Sequence, residues 1–134
     1  MKIFVDTNIF LDVFLKREKT EGSLEVLSVI RFNSEGFICP ITITNIDFIM
    51  RKETKEDREK AIKYILNNFH IIELNKKILI EAMNTNFKDF EDSVQFVSAK
   101  EYACEAIITR NKKDFKESTI KIFTPEEFLE FYDL

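Results

Sequence analysis

Asp6, Asp89, Asp92 and Asp114 are the residues of this chain best suited to work as a group. Asp6 directly follows the apolar run Ile3-Phe4-Val5. Asp89 and Asp92 lie in Lys88-Asp89-Phe90-Glu91-Asp92, where a helix is expected to start. Asp114 comes five residues after Thr109, beyond Arg110-Asn111-Lys112-Lys113. If these ends converge, several carboxylates and Asn111 face one point. Carboxylates that close raise one another's pKa unless a cation neutralises them. Oxygen ligands favour Mg²⁺ or Mn²⁺ over Zn²⁺. The single histidine, His70, cannot build a zinc site, and Cys39 and Cys104 lack metal-ligand spacing.

Each residue alone also has a structural explanation. An Asp after a strand can cap a helix, which is open for Asp6. Glu91 in a first helical turn complements the helix dipole. Asn111 and Asp114 suit a turn. His70, near a strand start, reads as structural, and the charge-rich stretch from Arg51 to Lys63 as a solvated helix face. The chemistry therefore rests on whether the chain brings the acids together.

Alternating short apolar runs and amphipathic stretches are what would do so. Strands are expected at Ile3–Val5, Phe37–Pro40, Ile71–Leu74, Ala106–Thr109 and Ile120–Phe123. Helices are expected after Asp6 to about Leu15 and from about Glu21 to Asn33, with Gly36 ending the latter. Others run from Thr42 or Thr44 to about Arg51, Lys55 to Phe69, Lys77 to Asn84 and Phe90 to Cys104. Ala61, Ile62, Ile65, Leu66 and Phe69 form one apolar stripe. Thr124, Pro125 and Glu127 form a capping box for a last helix. Such alternation predicts an α/β fold, a three-layer α/β/α sandwich with a mostly parallel sheet. Sites in open sheets of this kind form at the carboxyl ends of the strands.

The bulk numbers agree with one domain over residues 1–134, rich in Phe (14) and poor in Gly and Pro (2 each). The net charge of −4 excludes nucleic-acid binding through bulk positive charge, so any such contact is local or metal-mediated. The start lacks a signal-like pattern, and no apolar run reaches the roughly 18 residues a membrane span needs. The expectation is a soluble, cytoplasmic protein with no membrane partner.

Phe4-Val5-Asp6-Thr7-Asn8-Ile9-Phe10-Leu11-Asp12 resembles the opening of PIN-domain proteins. Asp89-Phe90-Glu91-Asp92-Ser93-Val94-Gln95 resembles the acidic helix start of one bacterial branch. Thr109-Arg110-Asn111-Lys112-Lys113-Asp114-Phe115 resembles that branch's last motif. The resemblance spans about residues 2 to 126. It implies a Mg²⁺- or Mn²⁺-dependent endoribonuclease of the VapC-like toxin type, with RNA as substrate and an antitoxin protein and a second copy of the chain as partners. Carried over by position, Asp6, Asp92 and Asp114 match metal-binding acids, and Asp89 an additional acid, ligand or base. Thr7, Asn8 and Asn111 match supporting residues, and Arg110, Lys112 and Lys113 are expected to contact the RNA backbone. Where many PIN domains carry a Glu in the helix after the second strand, this chain has Asn45, and Asp47 is expected on another face. Glu91 is expected to face away from Asp92's direction. The alternative function is a weakly active or inactive PIN-like protein that binds RNA or a protein partner. A phosphatase with an Asp nucleophile needs a second Asp where Asn8 stands. A receiver domain needs an acidic pair before its first helix, where the run to Asp6 offers one acid.

Overall fold

The computed structural model describes residues 1–132. In chain order its elements are β1 (Lys2–Val5), α1 (Thr7–Phe14), α2 (Thr20–Asn33), β2 (Glu35–Ile38), α3 (Pro40–Ile49) and α4 (Lys55–Asn68). Then follow β3 (His70–Ile71), α5 (Lys76–Met83), α6 (Phe90–Glu101), β4 (Ala106–Ile108), a 3-10 turn (Lys112–Phe115), β5 (Lys121–Phe123) and α7 (Pro125–Tyr132).

The five strands form one sheet in the order β3-β2-β1-β4-β5, and every pairing is parallel. Parallel strands joined by crossovers are covered on both faces, which is why β1 and β4 are continuous buried runs. Alternation sorts their side chains. Ile3 and Val5 of β1 pack with Ile30, Ile65 and Phe128 of α2, α4 and α7. Phe4 between them packs on the opposite side with Ile78, Val94 and Val97 of α5 and α6. The expected three-layer α/β/α arrangement is thus realised.

The chain leaves β1 toward β2 and β3, then returns to the other side of β1 as β4 and β5. The strand order reverses between β1 and β4, and the loops diverging there open a crevice at the carboxyl ends of both strands. Asp6 N–H donates to Ile108 O at 3.0 Å, fixing the end of β1 against the end of β4.

Several boundaries differ from the sequence reading. Pro40 opens α3 instead of closing β2, with Cys39 at the N-cap. Proline suits that position because its fixed φ is helical and its missing N–H has no partner there. Gly36 lies inside β2 rather than ending α2. A Cβ there would collide with the Phe69 ring, so the glycine lets that ring lie against the strand. The third strand is only His70–Ile71, extended by Ile72 N–H donating to Ile38 O at 2.8 Å. The α6 helix stops at Glu101 because Ala103 takes a left-handed φ of 56°. The capping box holds: Glu127 N–H donates to Thr124 Oγ1 at 3.1 Å and Thr124 N–H to Glu127 Oε1 at 2.9 Å.

Candidate active site at the carboxyl ends of β1 and β4

Asp6 is the N-cap residue of α1, yet its side chain makes no capping bond. Its carboxylate instead turns into the crevice, where Thr109 Oγ1 donates to Oδ2 at 2.9 Å. The helix-cap reading of Asp6 therefore fails. The residue is 4% exposed. Burial pushes its pKa above the ordinary aspartate value, against the hydrogen bonds of Thr109 and the Gln95 amide. The first residue after each of the two central strands thus supplies one half of this contact.

The N-terminus of α6 brings the other acids. Asp89 is a true cap, accepting from Asp92 N–H at 3.1 Å on Oδ1. Asp92, half-buried behind it, is pushed up to about 7. Burial is the main cause, followed by the charges of Asp89, Asp6, Asp114 and Glu91. Asp92 thus lies within electrostatic reach of the four other carboxylates. Asp114 arrives on the 3-10 turn after β4, an element missed in the sequence because four residues, Lys112–Phe115, carry no periodicity.

A cleft of about 410 Å³ is lined by Asp89, Asp92 and Asp114 together with Lys88, Lys113 and Lys116. A larger one of about 630 Å³, lined in part by Phe14, Leu24 and Tyr64, holds none of these acids.

Glu91 departs from expectation. On α6, Gln95 lies four residues after Glu91 and three after Asp92, so all three share one side of the helix. The Gln95 side chain acts on Asp6, and Glu91 one turn further out is on the same side. Asn45 Nδ2 of α3 donates to Glu91 Oε1. Burial, then the charges of Asp89 and Asp6, raises the Glu91 pKa. Asp47 points elsewhere, to Arg58 Nε at 3.2 Å.

Other expected site residues are placed less centrally. Thr7 is buried, its Oγ1 3.5 Å from Thr42 Oγ1 of α3. Asn8 Oδ1 accepts from Arg17 Nη1 at 3.2 Å, so its side chain is directed away from Asp6. The Asn111 side chain is exposed, and the Asn111 backbone N–H donates to Thr109 Oγ1 at 3.1 Å, orienting that hydroxyl toward Asp6. Arg110, expected as a phosphate contact, is turned inward. Its Nε donates to Asp12 Oδ2 at 2.6 Å and Nη1 to Glu126 Oε1 at 2.9 Å. Nη2 donates to Lys19 O and Ser23 Oγ, both at 2.9 Å. Lys112 is likewise bound to Glu127 at 3.0 Å, which leaves Lys113 of the basic trio at the cleft.

Gln95 and Thr109 are the functional-looking residues that sequence reasoning passed over. Gln95 is 1% exposed, and its Oε1 has no hydrogen-bond partner. A buried polar atom without a partner is rare and asks for an explanation. A Gln in an otherwise apolar helix stripe was the available signal.

The donor set is all oxygen, with carboxylates whose pKa values are raised by burial first and by neighbouring acids second, and it fits a hard divalent cation. Among the described residues no three acid, His or Cys side chains are already gathered at ligand distance.

The family model described as PIN domain matches residues 2–113. Ribonuclease VapC1 of Aquifex aeolicus (strain VF5) is 32% identical over 136 residues, covering 96% of this chain and 94% of that protein. A toxin–antitoxin complex from Klebsiella pneumoniae contains a chain 25% identical, with a TM-score of 0.71, covering 92% of this chain and 97% of that one. VapBC2 from Rickettsia felis, bound to a DNA fragment from their promoter, contains a chain with a TM-score of 0.74 at 17% identity, a likeness of fold. It covers 92% of this chain and 98% of that one.

Proposed function

This chain belongs to the PIN domain family, and on that footing we propose that it is a Mg²⁺- or Mn²⁺-dependent endoribonuclease and the toxin of a toxin–antitoxin pair. The observation that carries the reading is the side chain of Asp6. It is a buried carboxylate that declines its helix cap and faces a group of acids without a cationic partner of its own. The 32% identity with a protein named a ribonuclease supports the activity. The toxin–antitoxin complex with a 25% identical chain supports an antitoxin partner. The five strands in one sheet support reading residues 1–134 as one domain.

Asp6, Asp92 and Asp114 would hold the cation. The chemistry such a cation supplies when bound is neutralisation of charge at the scissile phosphate and activation of water for attack. Thr109 fixes the Asp6 carboxylate through its hydrogen bond to Oδ2. Asp89 uses Oδ1 on the α6 cap, and we assign Oδ2 to take the proton from the attacking water. Lys88, Lys113 and Lys116 line the same cleft and are the cations for the RNA backbone, in place of Arg110 and Lys112. Among the described residues no helix is long and apolar enough to cross a membrane.

The test is incubation of the purified protein with single-stranded and structured RNAs in Mg²⁺ or Mn²⁺, then with EDTA. Cleavage that stops in EDTA and returns with added metal is the expected result. Cleavage indifferent to EDTA overturns the metal, and RNA bound but never cut favours the binding-only alternative.

A further inference from the structure

We propose that Glu91 is a further carboxylate of the cation site, supplied by α6 in place of the acid that α3 lacks, and that Asn45 is its positioning residue. The proposal rests on the metal-dependent reading above and names a residue that reading did not use.

Three observations carry it. The first is the row on α6. Gln95 is wholly buried, its Oε1 has no hydrogen-bond partner, and its side chain lowers the Asp6 pKa; Glu91 lies one turn nearer the open end of the same row. The second is the hydrogen bond across the crevice from Asn45 Nδ2 to Glu91 Oε1. An exposed glutamate in a first helical turn ordinarily points into solvent and serves only the dipole. This one is tied to a different helix, on the side where the buried Thr7 and Thr42 hydroxyls meet. The third is the placement of α3 itself. Pro40 starts that helix directly after β2, so Thr42 and Asn45, three residues apart, both project toward the ends of the central strands.

The pairing gives Asn45 a definite role. An amide in that position contributes no charge of its own, but its two N–H groups are donors. Donation to Oε1 orients the Glu91 carboxylate and leaves Oε2 for a cation or its water. A Glu at position 45 would be the wrong neighbour here, since two carboxylates in place of an amide–carboxylate bond repel. The two helices therefore have separate roles, α6 bringing the charge and α3 aiming it.

The experiment is Mn²⁺ titration by calorimetry of the wild type, Glu91→Gln, Asn45→Ala and the double variant. Asp47→Asn serves as the control on the outer face of α3. Folding is checked by circular dichroism, and all three positions are half-buried or exposed, so the variants are expected to fold. The wild type should bind Mn²⁺ and Glu91→Gln should bind about tenfold more weakly or worse, while Asn45→Ala, which removes only the aim, should lose about tenfold. The double variant should match Glu91→Gln alone, because both changes act through one carboxylate. Asp47→Asn should bind like the wild type.

Undiminished binding by Glu91→Gln overturns the inference while leaving the metal site of Asp6, Asp92 and Asp114 standing. Losses that add in the double variant overturn the positioning role of Asn45. A wild type that takes up no Mn²⁺ overturns the metal reading and this inference with it.

Discussion

Asp6 and Asp12 are six residues apart and equally buried, each 4% exposed, but their surroundings are opposite. Asp12 has a cationic partner at both ends. Arg110 Nε donates to Oδ2 at 2.6 Å, Ser23 Oγ donates to the same oxygen at 2.7 Å, and Arg17 stands 3.6 Å from Oδ1. Asp6 has the Thr109 hydroxyl, and its charged neighbours are other acids. A buried carboxylate held by bidentate-capable arginine is how a fold ties elements together, here α1, α2, the end of β4 and α7. A buried carboxylate left among its own kind weakens the fold until something neutralises it. The first is architecture and the second is the candidate site.

The largest expected effect breaks the paired side. Arg110→Met should cost about 3 kcal/mol in urea unfolding, because it leaves buried Asp12 only the longer contact with Arg17 and the Ser23 hydroxyl. A loss under about 1 kcal/mol would place the pair with ordinary surface bridges. Asp6→Asn should do the reverse: keep the fold, and lower RNA cleavage on the order of a hundredfold or more by removing several kcal/mol of transition-state stabilisation. Asp12→Asn with the same loss of cleavage at full stability would erase the distinction between the two acids.

Titration sharpens the comparison next. The Asp92, Asp6 and Glu91 carboxyls have folded pKa values above their unfolded ones. The metal-free native state then holds more protons than the unfolded chain as pH rises from about 4, so stability should fall up to about pH 7, where Asp92 ionises. Glu126 runs the other way. Burial raises its pKa, but the bonds and charge of Arg110 outweigh that and hold it below the ordinary glutamate value. Its contribution is present above the unfolded pKa and lost as pH falls. Asp92→Asn should reduce the fall in stability toward pH 7 and leave the loss on acidification in place. The smallest effect is at the cleft lysines. Lys113→Ala should weaken RNA binding a few-fold and reduce the salt slope by about 1, whereas Lys112→Ala should change both less.

Much of this was legible in the sequence. The carboxyl-end rule led from the apolar run Ile3–Val5 to Asp6, and the acidic helix start and the Asp after Thr109 supplied partners that the structure brings near. What was not legible concerns direction rather than position. Composition around Arg110 looked like a basic patch beside the acids, but Asp12 and Glu126 come from α1 and α7, and their convergence on Arg110 is tertiary. The angle between adjacent helix positions turns Glu91 away from Asp92, while the four-residue spacing puts it on the side of Gln95. The spacing Glu91, Asp92, Gln95 was available, but the amide that marks the buried end of that row looked like one polar residue in a stripe. Gly36 read as a helix end because the Phe69 ring that requires it lies 33 residues on.

The contrast between the two buried acids comes down to which of them a divalent cation relieves. Unfolding free energies of the wild type, Asp6→Asn and Asp12→Asn should be compared without metal and with Mn²⁺ at about 100 times its dissociation constant. The wild type and Asp12→Asn should each gain about 2.7 kcal/mol, and Asp6→Asn little at that concentration. A wild type unmoved by Mn²⁺, or a gain that survives Asp6→Asn and disappears in Asp12→Asn, would contradict the assignment of Asp6 to the site and Asp12 to the scaffold.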